Sequence, residues 1–245
     1  MSEEILNRLR DDNDYYGAFG KQYLSNSDID SLLSNPREFG KKGGGDNVNY
    51  AKGRYFHQLI LEPEKAKDTK FVEASTRTTK IYKDFIEQNK IPFALLKSEG
   101  DEIRGCVDSM IQNIAFFDGI RQDGNQYEVP AIAEIKGLMW KGKADIVCTD
   151  KLIDLKTTSN ISDFKWSARK YNYDSQCYIY QQLFGKPLVF YVVDKTNGMI
   201  GIFRPTEDFV KRGEEKVERA VEVYNKFFGD NPTESIEYYF IDEML

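Results

Sequence analysis

The stretch KADIVCTDKLIDLKTT, residues 143–158, is the strongest indication of fold in this chain of 245 residues. Side chains alternate between the two faces of a β-strand, so Ile153 and Leu155 would share one face. Asp154 and Lys156 would share the other. The apolar pair can anchor the strand in a hydrophobic core, which leaves a carboxylate and an ammonium group together on the opposite side.

Two carboxylates are predicted to meet across a β-hairpin. Asp145 lies nine positions before Asp154, and residues 149–151 suit a tight turn between two strands. Paired carboxylate oxygens suit Mg²⁺ or Mn²⁺, and a lysine beside them can orient a water molecule or stabilise negative charge in a transition state. Such a set is typical of metal-dependent phosphodiester cleavage. The alternative is that Asp154 and Lys156 form an exposed, salt-bridged face of the sheet.

Other candidate site residues lie on either side of this hairpin. His57, the only histidine, occurs in a predicted helix that Pro63 ends, and a neutral imidazole is a good metal ligand. Glu128 belongs to the strand-like segment QYEVPAIAEI. Gln176 and Tyr180 are four residues apart and would lie on one helical face. Taken alone, the histidine could be a structural residue and the Gln/Tyr pair a partly buried surface.

These motifs occur in a definite order along the chain. G-x-x-x-H is followed by LEPE, E-V-P, K-x-D, D-x-K-T-T and Q-x-x-x-Y, and an N-terminal YLSNSD at residues 23–28 precedes them all. The ordered set resembles the RecE-type exonucleases of phages and prophages, within the RecB-like PD-(D/E)XK nuclease superfamily. The resemblance covers most of the chain.

The resemblance implies a role for each motif residue. The implied catalytic residues are Lys156, Asp145, Asp154 and Glu128, the implied metal ligands are His57, Asp145 and Asp154, and the implied contacts to the DNA strand are Gln176 and Tyr180. The implied metal is Mg²⁺, for which Mn²⁺ can substitute. Glu128 would act as an auxiliary acid. Ala144 stands beside Asp145 where a proline is common in the superfamily, at a position with no chemical role.

The resemblance also implies an activity. It is processive 5′-to-3′ digestion of one strand of linear double-stranded DNA from a free end, which leaves a 3′ single-stranded tail for recombination. Such enzymes work with a single-strand annealing recombinase and form homo-oligomeric rings around DNA. Because the same catalytic core serves many polarities, an endonuclease or another exonuclease remains open. A catalytically silent DNA-binding or assembly module is a further alternative.

The expected fold class is α/β, with a restriction-endonuclease-like PD-(D/E)XK core, a central mixed β-sheet flanked by helices, and a helical N-terminal arm. Residues 1–52 are predicted to be the arm and a Gly-rich connector, and residues 53–245 the nuclease domain, in one compact unit. Periodicity and turn signals predict individual elements. The helices are predicted over residues 27–33 with Ser27 as N-cap, 79–88, 99–114, 163–169 and 207–228, with another around Gln176. The strands are predicted over residues 127–135, 138–148, 152–157 and 188–193, with a hairpin turn at 195–198 leading into 199–204.

Charge is distributed unevenly along the chain. The net charge is −6, yet residues 37–83 contain 11 basic against 6 acidic residues, and residues 137–170 contain 7 against 4. Residues 205–245 contain 5 basic against 11 acidic residues. This pattern predicts that DNA approaches the middle of the chain and that the C-terminal part faces away from it, unless these are ordinary solvated surfaces.

Several side chains are candidates for contacts with DNA outside the catalytic motifs. A terminal 5′ phosphate requires a basic residue, and the candidates are Arg37, Lys41, Lys42 and Arg54. Unpaired bases can stack on aromatic rings, and the candidates are Trp140, Trp166, Tyr171 and Tyr173. For each of these aromatic residues, packing in the core or at its rim is the alternative.

Composition excludes several other classes of protein. Cys106, Cys148 and Cys177 are too widely spaced for a zinc or disulfide framework and too few for an iron–sulfur cluster. No apolar run is long enough to span a membrane, and the acidic start is unlike a secretory signal, so we expect cytoplasmic location and no membrane partner. The acidic, aromatic segment 234–243 is expected to add a strand or to pack on its own domain, with partner docking as the alternative.

Overall fold

The computed structural model describes residues 3–41 and 47–242. The helices in these ranges are α1 Glu3–Arg10, α2 Asp12–Tyr16, α3 Asn26–Ser34, α4 Val48–Leu61, α5 Pro63–Ala66, α6 Lys80–Asn89, α7 Lys97–Ile111, α8 Ile114–Arg121, α9 Phe164–Lys170, α10 Tyr173–Phe184 and α11 Glu207–Phe227. The strands are β1 Phe71–Val72, β2 Leu95–Leu96, β3 Gln126–Ile135, β4 Leu138–Val147, β5 Leu152–Thr158, β6 Leu188–Asp194 and β7 Ile200–Phe203.

The main sheet has five strands in the order β3-β4-β5-β6-β7. Strands β5 and β6 are parallel, and the chain between them passes through α9 and α10, as a parallel connection requires. The other neighbouring strands are antiparallel. Strands β1 and β2 form a separate two-stranded parallel sheet. The expected α/β fold with a mixed sheet between helices is therefore confirmed.

Each face of the main sheet packs against its own set of helices. On one face, Leu152 and Phe190 join residues of α3, α10 and α11 in one hydrophobic core. On the other face, Ile153 and Leu155 pack with α4, α7 and α8 in a second core. Burying each of these large apolar side chains contributes about 1.5–3 kcal/mol. The alternation predicted for β5 is present, and it assigns Asp154 to the α10 side.

The N-terminal helices pack directly on the sheet. Leu9 of α1 and Tyr15 of α2 cluster with Ile132 of β3, and α3 contributes to the core that contains Trp140. Leu24 extends the sheet locally, because its N–H donates to Met139 O at 3.0 Å. The predicted boundary after residue 52 falls within α4, so it does not coincide with a break in the secondary structure.

Three expected local features differ in the structure. Helix α3 begins one residue before the expected N-cap, because Ser25 rather than Ser27 caps it and donates to Asp28 Oδ2 from both its N–H and its Oγ. The helix expected over 99–114 is divided, because the Asn113 side chain accepts from the N–H of Ala115 at 3.1 Å and starts α8. Part of the expected connector is helical from Val48 onwards, and residues 42–46 lie outside the described ranges.

The described part of the C-terminal segment packs on its own chain. Residues Ile236–Tyr238 form one 3₁₀ turn rather than a strand, and the Tyr239 ring lies edge-on to Phe227 with 5.9 Å between centroids. Arg37 Nη2 donates to Glu237 O at 2.6 Å. The three cysteines are buried and free. Among the helices described, none combines the length and apolar character needed to cross a bilayer.

Candidate active site

The site forms where β4 and β5 separate. Their backbone pairing covers Val147 with Leu152 and Ile146 with Ile153, and the next opposed pair is Asp145 with Asp154. There the Asp145 carboxylate takes the place of a backbone acceptor on the neighbouring strand, because its Oδ2 accepts the Leu155 N–H at 2.7 Å. The predicted hairpin therefore places both carboxylates at one position along the sheet.

The backbone on the β3 side is also irregular at this position. The pairs Tyr127–Ile146 and Val129–Ala144 bracket Glu128, which thus lies opposite Asp145. Glu128 has φ of +50°, in the left-handed region that a non-glycine residue adopts rarely and at a cost. The outcome is a carboxylate directed into the site. Burial, followed by the charge of Asp145, raises the pKa of Glu128 to about 7.

His57 reaches the site from α4. Its Nε2 lies 2.9 Å from Leu155 O, and because a carbonyl oxygen only accepts, Nε2 carries a proton. The other ring nitrogen, Nδ1, faces Asp145 Oδ1 at 3.4 Å. Burial lowers the pKa of His57, but the Asp145 carboxylate outweighs burial and raises it to about 9. Burial in turn opposes ionisation of Asp145, and the facing His57 overcomes this and lowers the pKa of that carboxyl.

Asp154 and Lys156 form a buried ion pair on the α10 side. Lys156 Nζ lies 2.6 Å from Asp154 Oδ2, and the Gln176 amide donates to Asp154 Oδ1 at 2.6 Å. Burial raises the pKa of Asp154, while burial alone would lower that of Lys156 and the facing carboxylate raises it instead. Among the described residues Asp154 Oδ2 has no close polar partner other than Lys156 Nζ, so this oxygen keeps a further lone pair for another ligand.

The Gln/Tyr pair of α10 lies inside the protein. Gln176 is buried and holds Asp154, while the Tyr180 hydroxyl donates to Lys143 O at 3.0 Å. Both side chains thus connect α10 to β4 and β5. Their contact with DNA, as implied by the resemblance, remains a prediction.

Tyr173 contacts the catalytic lysine candidate in a way that the sequence did not indicate. Lys156 Nζ lies 4.9 Å from the centroid of the Tyr173 ring. The ring also stacks on Phe190 of β6, with 5.4 Å between centroids. An ammonium group over a ring face is attracted by the quadrupole of the ring. Tyr173 therefore helps to orient Lys156 towards Asp154.

The N-terminal arm borders the site through two buried lysines of β4. Lys143 Nζ donates to Asp12 Oδ1 at 2.7 Å, and Lys141 Nζ donates to Tyr15 O. Burial lowers the pKa of Lys141 to about 8. Sequence reasoning missed these contacts, because no local pattern relates α2 to a strand more than 120 positions later. Both lysines support the arm and are buried, so they are not available to bind DNA.

The remaining DNA-binding candidates occupy different surroundings. Arg54 is exposed on α4, one turn before His57, and no described carboxylate pairs with it. Arg37 is exposed but bound to Glu237 O in the acidic C-terminal segment. Trp140 is 0% exposed and its Nε1 donates to Ile135 O, so the proposed base stacking is wrong for this residue. Lys42 lies outside the described ranges.

Four side chains of the site could donate to a divalent cation. Ligand atoms of His57, Glu128 and Asp145 all lie within 4.8 Å of one another, which suits three donors around one ion. Asp154 adds a buried oxygen with a free lone pair on the neighbouring strand. A mixed imidazole and carboxylate set suits a divalent metal. The residues present therefore fit the metal that this kind of site implies.

Comparison with known proteins agrees with this geometry. Residues 38–233 match the family model described as "PDDEXK-like domain of unknown function (DUF3799)". A crystal structure named "Putative exonuclease", from Eubacterium rectale, superposes with a TM-score of 0.63 at 17% identity, covering 96% of this chain and 95% of that chain. At that identity the likeness shows a shared fold.

Two further comparisons concern another solved structure and the curated proteins. A phage related exonuclease from Haemophilus somnus is similar at a TM-score of 0.32 and 14% identity, over 70% of this chain and 92% of that chain. No curated protein matches the sequence significantly. The family match spans most of the chain and includes every residue of the site, and the recognition of a PD-(D/E)XK nuclease from the motif order is confirmed. This chain therefore belongs to the family of PDDEXK-like domains described by that model.

Proposed function

We propose that the protein is a metal-dependent deoxyribonuclease that degrades linear double-stranded DNA from its ends. The observation that supports this most is the convergence of His57, Glu128 and Asp145 beside the buried Asp154–Lys156 pair. Such a combination of cation ligands and a fixed ammonium group is suited to a phosphodiester, whose transition state gains negative charge.

His57, Glu128 and Asp145 would hold a divalent cation, with Asp154 as the fourth donor. When bound, Mg²⁺ or Mn²⁺ supplies Lewis-acid polarisation of the phosphate and lowers the pKa of a water molecule. The His57 Nε2 proton is committed to Leu155 O, which directs the Nδ1 lone pair of the neutral ring towards the cluster. Glu128, with a pKa near 7, must lose its proton to act as a ligand.

Lys156 supplies a positive charge whose position is fixed. Its ammonium group is held between Asp154 Oδ2 and the Tyr173 ring, so it can donate to a phosphate oxygen or to the attacking water without rearranging. Gln176 positions this pair by holding the second oxygen of Asp154. We therefore assign a catalytic role to Lys156 and a positioning role to Gln176.

The finer details of the activity rest on the motif order alone. We propose 5′-to-3′ polarity, processive digestion within a homo-oligomeric ring, and a product with a 3′ tail that a single-strand annealing recombinase uses in the cytoplasm of a bacterial host. Tyr180 and Arg54 are proposed to act near the DNA strand. Arg37 is a weaker candidate, because it already binds the C-terminal segment. Light scattering of the free protein and its DNA complex tests the ring.

The decisive experiment is digestion of a linear duplex labelled at its 5′ or 3′ ends, with Mg²⁺ or with chelator. We expect Mg²⁺-dependent release of the 5′ label by wild type and none by Lys156→Ala. A closed circle serves as the control for end dependence. Cutting of the circle indicates an endonuclease, release of the 3′ label indicates the opposite polarity, and inactivity with both Mg²⁺ and Mn²⁺ indicates a silent binding module.

A further inference from the structure

One exposed surface beside the site combines basic and aromatic side chains. It is formed by α9 and the residue after it, and we call it the α9 surface; it comprises Lys165, Trp166, Arg169, Lys170 and Tyr171. Trp166 is 58% exposed and Tyr171 57% exposed. More than half of each of these aromatic side chains is therefore in contact with solvent, where a ligand can reach it.

The basic side chains of the α9 surface are not neutralised by carboxylates of the described residues. Within residues 3–41 and 47–242, Lys165, Arg169 and Lys170 form no ion pair with a carboxylate. This differs from the other basic residues of segment 137–170. Lys141 and Lys143 are buried against the arm, Lys151 contacts Asp150, and Lys156 contacts Asp154. The positive charge that remains free in that segment is thus concentrated on the α9 surface.

The cations and the rings of this surface lie side by side. Lys165 Nζ is 5.5 Å and Arg169 Cζ 5.3 Å from the centroid of Trp166. Lys170 Nζ is 5.6 Å from the centroid of Tyr171. Each ring therefore has at least one cation within 5.6 Å of its centroid. This combination is typical of surfaces that bind single-stranded nucleic acid.

The α9 surface is continuous with the candidate active site. The Tyr171 ring lies 6.2 Å from that of Tyr173, and Tyr173 lies 4.9 Å from Lys156 Nζ. Tyr173 is fixed by Phe164 and Phe190, with ring centroids 5.9 Å and 5.4 Å away. A row of neighbouring aromatic rings therefore runs from exposed Tyr171 through Tyr173 to the ammonium group that would contact the scissile phosphate.

We propose that the α9 surface binds the unpaired segment of a DNA strand next to the phosphate that is cut. This deepens the proposed nuclease function and rests on it. Bases stack on Tyr171 and Trp166, while Lys165, Arg169 and Lys170 contact the phosphates. A single strand fits better than a duplex, because paired bases are stacked on each other and leave only their phosphates and groove edges to the protein.

Equilibrium binding of fluorescent oligonucleotides tests this, measured by anisotropy in chelator so that hydrolysis cannot interfere. Trp166→Ala and Tyr171→Ala should each weaken binding of a single-stranded oligonucleotide by about tenfold, as loss of one stacked base does. Trp166→Phe and Tyr171→Phe keep a ring and should restore most of the affinity. Tyr238→Ala removes a ring that is 78% exposed in the C-terminal segment and serves as the matched control with wild-type affinity.

The contributions of the charges and of the rings to binding are distinguished by how the affinity depends on salt concentration. A triple variant, Lys165→Gln with Arg169→Gln and Lys170→Gln, should reduce the slope of log affinity against log salt by about 2, since each phosphate contact contributes about 0.7 for a single strand. The ring variants should leave this slope unchanged. Blunt duplex binding should be affected by the triple variant and little by the ring variants. Thermal melting of every variant verifies that it is folded.

Three results would overturn the proposal. The first is that both alanine variants bind a single-stranded oligonucleotide as tightly as wild type does. The second is that the ring variants lose as much affinity for a duplex as for a single strand, and the third is that the wild type does not bind single strands. Because binding is measured without metal, it is independent of the digestion assay. A protein that binds single strands through Trp166 but digests nothing would refute the nuclease, whereas a nuclease whose ring variants bind normally would refute only the α9 surface.

Discussion

The carboxylate of Asp145 accepts the backbone N–H of Leu155 at 2.7 Å, in place of the strand-to-strand bond that would continue the β4–β5 ladder. The same side chain faces His57 through its other oxygen. Asp145 thus connects β4 to β5 where their backbone pairing stops, and it also supplies a negative charge to the site.

Replacing Asp145 separates these two roles. Asp145→Ala leaves the buried Leu155 N–H without an acceptor and should lower the free energy of unfolding by about 1–3 kcal/mol. Asp145→Asn keeps an oxygen acceptor and should be destabilised less, yet it should abolish digestion because the charge is lost. Chemical denaturation and digestion of linear DNA measure both effects. Equal destabilisation of the two variants would show that the Leu155 contact is unimportant.

The histidine pair predicts how the stability of the metal-free protein depends on pH. His57 has a folded pKa of about 9 against an ordinary value of about 6.5, so folding favours its protonated form. Its contribution is complete below pH 6.5 and is lost as the pH rises to about 9, about 3 kcal/mol in total. Denaturation in chelator between pH 6 and 9.5 measures it.

The matched variant for the pH experiment is His57→Gln. It cannot take up the proton, so the decline in stability between pH 6.5 and 9 should be smaller than in wild type. A decline of the same size in both proteins would assign it to groups other than His57.

Binding of Mn²⁺ should depend on Glu128, although the motif pattern suggests only an auxiliary role. Because its oxygen lies within the same cluster as His57 and Asp145, Glu128→Gln should weaken Mn²⁺ binding by at least about tenfold, the loss that follows even from changes outside the ligand shell. Titration calorimetry measures this without DNA. Glu134→Gln, on an exposed position of the same strand, is the control. An unchanged Glu128→Gln affinity would leave Asp154 as the required ligand.

Gln176 should affect turnover more than substrate binding. Its amide holds Asp154 Oδ1, so Gln176→Leu should lower kcat by about 10–100-fold, as loss of a partner that orients a ligand does. KM should change little because the side chain is buried. Tyr180→Phe loses a single bond to Lys143 O and should cost about 0.5–1.5 kcal/mol of stability. A raised KM with normal kcat in Gln176→Leu would instead support direct contact with DNA.

The N-terminal arm should depend on the ion pair between Asp12 and Lys143. Lys143 is buried, so Asp12→Ala should destabilise the protein by about 1–3 kcal/mol, because a buried charge loses its partner. The double variant Asp12→Ala with Lys143→Met removes both charges and should recover part of the loss. Denaturation of the two single variants and the double variant forms a complete cycle. Strict additivity would show that the pair is not coupled.

Periodicity was sufficient to predict the sheet and much of its surroundings. Strands β3 to β6 and helix α6 lie within a few residues of the expected ranges, because their patterns depend on neighbours only two to four positions away. The two local errors both involve capping side chains: Ser25 rather than Ser27 caps α3, and Asn113 starts a new helix inside a range expected to be continuous. Of the two interpretations given for Trp140, core packing holds, because Leu24 and residues of α10 pack on the strand at that position.

The sequence alone determined that Asp154 and Lys156 share a face, since that follows from the geometry of a single strand. Only the tertiary structure decided their partners. In the structure Gln176 donates to Asp154 Oδ1, and His57 Nε2 donates to Leu155 O. Glu128 adopts a strained backbone conformation opposite Asp145. These contacts join segments that are distant in the chain, and their geometry depends on how helices α4 and α10 pack on opposite faces of the sheet. A local sequence pattern cannot predict that packing, because it is stabilised by the two hydrophobic cores on the opposite faces of the sheet.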